Sequence, residues 1–166
     1  MADFERYVSI LIVDDEVDLS EILVEAVTPV FKEVVACYSG AEALAAVSGR
    51  RFSMIVTDLA MPKMNGLEFI EQLRILGIFT PVILLTGAAT TTSAILALRL
   101  GVADILEKPV PMSMLINSIK VSMDVEERRS QIILRENSPE GNQDALEFAK
   151  QHLGLIQVAN QKKRAI

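Results

Sequence analysis

Four short runs of the chain, largely apolar, each end at side chains that carry a charge or a hydroxyl group. They are Ile10–Val13 before Asp14 and Asp15, Met54–Thr57 before Asp58, Val82–Leu85 before Thr86, and 103–107 before Lys108 and Pro109. Runs of this kind are typical of strands buried in a parallel sheet, whose carboxyl ends meet at one edge. Open α/β sheets carry their sites at that edge. The runs therefore predict a site of three carboxylates, one hydroxyl and one amine.

Segments with helical periodicity alternate with these runs. The predicted strands are 8–13, 33–37, 53–57, 81–85 and 103–106, and the predicted helices are about 17–28, 40–48, 66–76, 90–100 and 112–135. Asn65 and Gly66 form a turn that opens the third helix, and Gly77 and Gly101 lie where helix C-caps are expected. Five β-α units in succession predict an α/β fold with a parallel sheet, helices on both faces and right-handed crossovers.

The composition changes after residue 123. Residues 1–123 contain 9 basic and 15 acidic residues, whereas residues 124–166 contain 7 of each. We predict one domain over 1–123 and a helical extension over 124–166, in which the last helix continues, breaks near 137–143 and is followed by a second helix. That helix, at about 144–160, carries an apolar stripe of Leu146, Ala149, Leu153 and Ile156. The stripe packs within the molecule or forms a homodimer.

The composition also excludes several classes of protein. No apolar run approaches the ~20 residues that span a bilayer, and the acidic N-terminus does not fit a signal peptide. We therefore expect a cytoplasmic protein without a membrane segment, and the single cysteine, Cys37, fits a reducing compartment. The net charge of −6 and the absence of a basic, aromatic surface predict no direct DNA binding. The one histidine, His152, is interpreted as an exposed helix residue.

The polar strand ends indicate a cation site. Converging carboxylates repel one another and require a counter-charge, which Mg²⁺ supplies in oxygen-rich sites. Lys108 adds a second positive charge, and Thr86 can donate a hydrogen bond. A carboxylate can itself be the nucleophile and form an aspartyl phosphate. Phosphoryl transfer needs positioning and cations around the phosphoryl oxygens, and this set of residues offers both.

The chain resembles a known family, the receiver domain of bacterial two-component response regulators. The resemblance rests on Asp14-Asp15-Glu16, on 58–66 (Asp-Leu-Ala-Met-Pro-Lys-Met-Asn-Gly), on Thr86-Gly87 and on Lys108-Pro109. It covers residues 7 to about 123. It implies a flavodoxin-like, doubly wound five-stranded parallel sheet in the order 2-1-3-4-5, with Mg²⁺-dependent phosphorylation of Asp58 by a partner histidine kinase.

The resemblance also implies a role for each site residue. Asp15 and Asp58 would bind the metal directly, Asp14 would bind it through water, and the backbone carbonyl of Ala60 would be a further ligand. The side chains of Thr86 and Lys108 would contact the phosphoryl group. Lys108-Pro109 resembles the cis peptide of the family.

The chain departs from the family pattern at Ile105, three residues before the lysine, where many receivers carry Tyr or Phe. An aliphatic side chain fills the same space but does not swing inward as an aromatic ring does. We therefore expect the signal to pass through the 86–92 loop and the extended fifth helix. Ala60 and Ala88, each two residues past a site residue, are predicted to provide no steric shield against water.

The predicted function is a phosphorylation-activated switch, not an enzyme, that signals to a downstream protein target through protein–protein contacts. Two alternatives use the same site: a phosphorelay intermediate that passes the phosphoryl group to a histidine phosphotransfer protein, and a receiver fragment of a larger regulator. A hydrolase of the haloacid type would need an acid two residues after the nucleophile, where this chain has Ala60.

Overall fold

A computed structural model of the chain describes residues 9–88 and 90–136, with backbone only for 133–136. The strands are β1 (Ser9–Val13), β2 (Glu33–Cys37), β3 (Met54–Asp58), β4 (Val82–Thr86) and β5 (Asp104–Glu107). The helices are α1 (Val17–Val27), α2 (Gly40–Gly49), α3 (Gly66–Ile75), α4 (Thr91–Arg99) and α5 (Met112–Glu136). The chain divides into two compact units after Asp124. The domain boundary between residues 123 and 124 stays a prediction.

The five strands form one parallel sheet in the order β2-β1-β3-β4-β5, which confirms the predicted fold. The strands β3, β4 and β5 begin and end one residue later than predicted, so that Asp58 and Thr86 are the last residues of their strands. Asp58 pairs with Leu85, and Thr86 pairs with Glu107. Strand pairing depends on backbone groups and not on apolar side chains, so β3 and β4 continue into the polar residues Asp58 and Thr86.

Alternate residues of the strands build two cores, one on each side of the sheet. On β1, Leu11 and Val13 face the core formed with α2, α3 and α4, whereas Ile10 and Ile12 face the core formed with α1 and α5. All residues of β1, β3 and β4 are buried. This burial explains why the central strands read as near-continuous apolar runs.

The helices begin and end at the residues that their sequence signals indicate. Asn65 caps α3 in a reciprocal pair with Glu68, in which each side chain accepts a hydrogen bond from the backbone of the other. Gly77 and Gly101 follow α3 and α4 with φ of 73° and 67°, a left-handed conformation that favours glycine. The predictions for these caps are confirmed.

The side chain of Arg74, near the end of α3, joins two loops at the amino edge of the sheet. Its guanidinium donates to the carbonyl oxygens of Ile78 (2.8 Å) and Thr80 (3.3 Å), which follow α3. It also donates to that of Leu100 (2.9 Å), at the end of α4. Burial holds the pKa of Arg74 below its usual value. No local sequence pattern indicates this role of Arg74.

Helix α5 is 25 residues long and continues to Glu136, against a predicted end at about 135. The second predicted helix, its apolar stripe and His152 lie outside the described residues. Within the described residues, none of the helices is both long enough and apolar enough to span a membrane.

Candidate phosphoacceptor and metal site

The site begins with two buried acids at the carboxyl ends of neighbouring strands. Asp14 follows β1 and is 0% exposed, and Asp58 ends β3 and is 4% exposed. The backbone amide of Asp14 donates to the carbonyl oxygen of Cys37 (3.1 Å), and the amide of Leu59 donates to that of Leu85 (2.8 Å). The sheet itself therefore holds both acids in place.

Three acids converge at this edge, as predicted. Carboxylate oxygens of Asp14, Asp15 and Asp58 all lie within 4.8 Å of one another. Asp15 is half-buried, so the group opens toward solvent on its side. Ionised carboxylates at this spacing repel one another strongly unless a cation is present.

Lys108 supplies a cation from the protein itself. Its Nζ lies 3.0 Å from Oδ2 of Asp14 and 2.6 Å from Oδ1 of Asp58, and its side chain is 19% exposed. Burial lowers the pKa of Lys108, but the contacts with Asp58 and Asp14 outweigh it, and the net pKa lies above the usual value for lysine. One ammonium group thus partly balances two buried carboxylates.

The remaining oxygens of Asp14 and Asp58 differ in what they accept. Asp14 Oδ1 accepts from the amide of Glu16 (2.9 Å), so both of its oxygens are occupied. Asp58 Oδ2 accepts from the amide of Ala60 (2.8 Å). Asp58 Oδ1 is buried and accepts no backbone hydrogen bond, and its partner is the ammonium of Lys108 (2.6 Å).

This donor set fits a hard divalent cation. Carboxylate oxygens are the ligands that Mg²⁺ prefers. Asp15 and Asp58 can offer such oxygens, whereas both oxygens of Asp14 already accept hydrogen bonds. That Asp14 acts through water stays a prediction.

Thr86 and Lys108 are connected through the backbone. Thr86 lies at the end of β4, on the strand beside Asp58, and is 2% exposed. Its carbonyl oxygen accepts from the amide of Lys108 (2.7 Å), and its Oγ1 accepts from the amide of Ala88 (3.2 Å). A hydroxyl that accepts one hydrogen bond keeps its own proton to donate.

Two predictions concern β5 and the residues that follow it. The Lys108–Pro109 peptide bond is cis, as the resemblance implied. Ile105 is half-buried and packs against the core formed with α2, α3 and α4. An aliphatic side chain therefore does fill space at the position where many receivers carry an aromatic ring.

Gly66 has a steric role that the sequence analysis did not identify. A Cβ atom at this residue would overlap the carbonyl oxygen of Asp58 and lie 3.0 Å from Cα of Leu59. The amide of Gly66 donates to the carbonyl oxygen of Leu59 (2.9 Å). The only sequence signal was a glycine after a helix N-cap, which indicates a turn and not a close approach of two backbones.

The fold and the site together define a class of protein. Residues 10–120, more than half of the chain, match the family description "response regulator receiver domain". The chain therefore belongs to the receiver family of two-component response regulators, which serves phosphorylation-based signalling. Phosphoaspartate and Mg²⁺ are general features of this family.

Similar proteins include regulators from Escherichia coli and Mycobacterium tuberculosis. The chain is 37% identical over 101 residues to the "Regulator of RpoS" of Escherichia coli K12, and 35% identical over 102 residues to the "Transcriptional regulatory protein TcrA" of Mycobacterium tuberculosis H37Rv. Each alignment covers 61% of this chain but only 30% and 40% of those proteins. The chain thus spans less than half the length of these curated relatives.

Solved structures agree with the fold. The chemotaxis protein CheY4 of Vibrio cholerae superimposes with a TM-score of 0.66 and 27% identity, over 70% of this chain and 98% of that one. A receiver domain protein from Methanospirillum hungatei JF-1 gives a TM-score of 0.70 and 27% identity, over 74% and 98%. In both cases the shared part is a complete receiver fold.

Proposed function

We propose that the chain accepts a phosphoryl group on Asp58 from a histidine kinase, in an Mg²⁺-dependent reaction, and signals through protein–protein contacts. The observation that carries this proposal is the arrangement around Lys108. One half-buried ammonium contacts Asp14 and Asp58 on adjacent strands, with Asp15 close enough to complete a cation site.

The proposed reaction is a direct phosphoryl transfer. An oxygen of Asp58 attacks the phosphorus of a phosphohistidine, a P–O bond forms as the P–N bond breaks, and the histidine leaves as neutral imidazole with its other nitrogen protonated. Oδ1 of Asp58 suits this role because no backbone amide holds it, whereas Oδ2 accepts from the amide of Ala60. The amide of Ala60 keeps the carboxylate in position throughout.

After phosphorylation, the negative charges of the carboxylates and of the phosphoryl group must be balanced by cations. When bound, Mg²⁺ would offset the charge of the carboxylates and the phosphoryl oxygens, with Asp15, Asp58 and the Ala60 carbonyl as ligands and Asp14 acting through water. Lys108 already contacts Asp58 and can contact a phosphoryl oxygen with a small movement. The hydroxyl proton of Thr86 can be donated to another phosphoryl oxygen.

The route of the signal out of the site is also a proposal. Thr86 leads directly into the loop before α4, and Lys108 leads into the loop before α5. We infer that phosphorylation changes the 86–92 loop and the extended helix α5, since Ile105 does not offer the aromatic swing. Amide spectra of phosphorylated and free protein that differed only beside Asp58 would contradict this route.

We extend the proposal to the target, the location and the oligomeric state of the protein. The downstream target is a protein, the location is cytoplasmic, and the helical extension is a candidate for homodimer formation. The greater length of the relatives favours the second alternative, a receiver that is part of a larger regulator. The full reading frame distinguishes this arrangement from a stand-alone switch, and transfer to a histidine phosphotransfer protein would identify a relay.

The test uses the full chain with acetyl phosphate as phosphodonor or with beryllofluoride as a phosphoryl mimic, each with and without Mg²⁺. We expect the intact mass to rise by one phosphoryl group only with Mg²⁺, and size and shape in solution to change with either reagent. The label should be absent in Asp58→Asn and present in Asp18→Asn, which removes an exposed acid in the first turn of α1. Wild-type protein that neither gains the label nor changes shape would overturn the proposal.

A further inference from the structure

The loop between β3 and α3, residues 59–65, carries the groups that adjoin the phosphoacceptor. Its first part is coupled to Asp58 directly, through the bond from the Ala60 amide to Oδ2. Its second part contains Lys63, with a φ of 66°, and a bond from the amide of Met64 to the carbonyl oxygen of Pro62 (2.8 Å). A displacement of this loop would therefore displace the carboxylate of Asp58 as well.

Met64 lies against the first residue of α2. A Cβ atom at Gly40 would be 2.7 Å from Sδ and 2.9 Å from Cγ of Met64, closer than real Cβ contacts occur. The backbone of Gly40 is helical and has no left-handed φ, so its conformation does not require glycine. A side chain at this position would therefore have to displace Met64.

The segment that receives Met64 also touches the other half of the acidic site. Cys37 ends β2, three residues before Gly40, and its carbonyl oxygen accepts the bond from the amide of Asp14. One short stretch of chain, 37–40, thus contains the residue that holds Asp14 in place and contacts the loop that holds Asp58. It is suited to set the distance between the two acids.

We propose that Met64, seated on Gly40, is a positioning residue that sets the Asp58 carboxylate and the Ala60 carbonyl at the separation required for the cation. The proposal rests on the function proposed above and adds residues that touch neither the phosphoryl group nor the metal. Residues that orient metal ligands typically change metal affinity about 10–100-fold when they are altered.

The test compares two glycines of the same helix in the full chain. Gly40→Ala places a methyl group against Met64, whereas Gly49→Ala, at the other end of α2, places one where no atom lies within 4 Å. We expect Gly40→Ala to weaken Mg²⁺ binding about 10-fold, measured by calorimetry, and to shift the Ala60 amide resonance without metal. Gly49→Ala should bind Mg²⁺ as the wild type does.

Met64→Ala and the double variant Gly40→Ala/Met64→Ala identify the cause. Met64→Ala removes the contact and adds no atoms, so it should fold and should bind Mg²⁺ more weakly than the wild type, by less than Gly40→Ala. In its background, Gly40→Ala should have a smaller effect, because only the Cβ of residue 64, at 3.1 Å, is then close to the new methyl group. An equal effect of Gly40→Ala in both backgrounds, or Met64→Ala with wild-type affinity and an unshifted Ala60 resonance, would overturn the proposal.

The outcomes separate this inference from the proposed function. If the wild type binds no Mg²⁺ and Asp58 takes no label, the proposed function fails and the positioning role falls with it. If the wild type binds Mg²⁺ and is labelled, but Gly40→Ala behaves as Gly49→Ala does, the positioning role alone is wrong. If Gly40→Ala does not fold, the affinity and the Ala60 resonance of Met64→Ala decide the question.

Discussion

The two loops that follow β3 and β4 flank the same site but are held in different ways. In the β3–α3 loop, Met61 is 6% exposed in the core and Met64 lies against Gly40. The β4–α4 loop begins with Gly87 and Ala88, both exposed, and has no apolar anchor among its described residues. One loop is fixed by packing before any ligand arrives, and the other is not.

The helices that follow these loops show the same contrast. Helix α3 buries Gly66, Phe69, Ile70 and Leu73. Helix α4 buries Ala97 alone of its nine residues, while its Ile95, Leu96 and Leu98 are exposed. A helix with little buried apolar area is stabilised weakly by packing and can shift at low cost. We infer from this difference that packing makes the β3 side of the proposed acceptor site rigid and leaves the β4 side free to respond.

The largest expected effect tests the packing of the two sides directly. Met61→Ala should lower the free energy of unfolding by about 2–4 kcal/mol, because it leaves a cavity in the core. Leu98→Ala, on the exposed face of α4 (71% exposed), should change it by no more than about 0.5 kcal/mol. Urea unfolding measures both. Similar losses for the two variants would contradict the contrast between the loops.

Two glycines, one that begins α3 and one in the β4–α4 loop, give the second comparison. Gly66→Ala should lower the free energy of unfolding by about 1–3 kcal/mol, because the new methyl group meets the backbone of Asp58. At Gly87 no atom lies within 4 Å of the position of a Cβ, and Gly87→Ala should be neutral or stabilising by up to about 1 kcal/mol. A destabilised Gly87→Ala would mean that the β4–α4 loop is more constrained than it appears from its contacts.

A third test concerns the end at which α4 is fixed. Arg74→Met removes the donor to the carbonyl oxygen of Leu100 and should cost about 1–2 kcal/mol. Hydrogen exchange should become faster at the end of α4 and in residues 78–80, and remain slow in the β3–α3 loop. Arg99→Met, an exposed basic residue in the last turn of α4, is the matched control and should leave exchange unchanged. Uniformly faster exchange in Arg74→Met would argue against a local anchor.

The smallest expected effect is the pH dependence of stability that comes from Lys108, whose ammonium contacts Asp14 and Asp58. A pKa of Lys108 above its usual 10.5 means that the folded protein holds this proton more tightly than the unfolded chain. The resulting stabilisation is fully present below pH 10.5 and is lost as the pH rises through the higher pKa of the folded state. The contribution of Lys108 to unfolding should therefore be constant between pH 6 and 9. The difference in the free energy of unfolding between the wild type and Lys108→Met, measured with urea, should be constant between pH 9 and about 10.5 and decrease above it. The absence of a decrease above pH 10.5 would contradict the raised pKa.

Most of the fold follows from local sequence patterns. The apolar runs, the helical periodicity and the caps at Asn65, Gly77 and Gly101 placed ten elements, most of them to within a residue at each end. Such signals depend on side-chain period and backbone preference, both of which are local. The one-residue shift of β3, β4 and β5 was not predicted, because strand ends depend on the pairing of the neighbouring strand.

The composition of the site was likewise available from the sequence. Acids, a hydroxyl and a lysine at the ends of apolar runs must meet once the runs form a parallel sheet, and their order matched the receiver family. The sequence thus determined which groups gather at the edge and the class of chemistry they suit. Their roles in phosphoryl transfer remain proposals for the labelling and binding experiments.

What only the tertiary structure decided is how these groups are arranged. It showed that Lys108 contacts both Asp14 and Asp58, that Oδ1 of Asp58 accepts no backbone hydrogen bond, and that Gly66 and Gly40 make room for a neighbouring segment. These features join residues far apart in the chain at distances of a few ångströms. No local period or propensity records them, because they arise only when separate elements pack against one another.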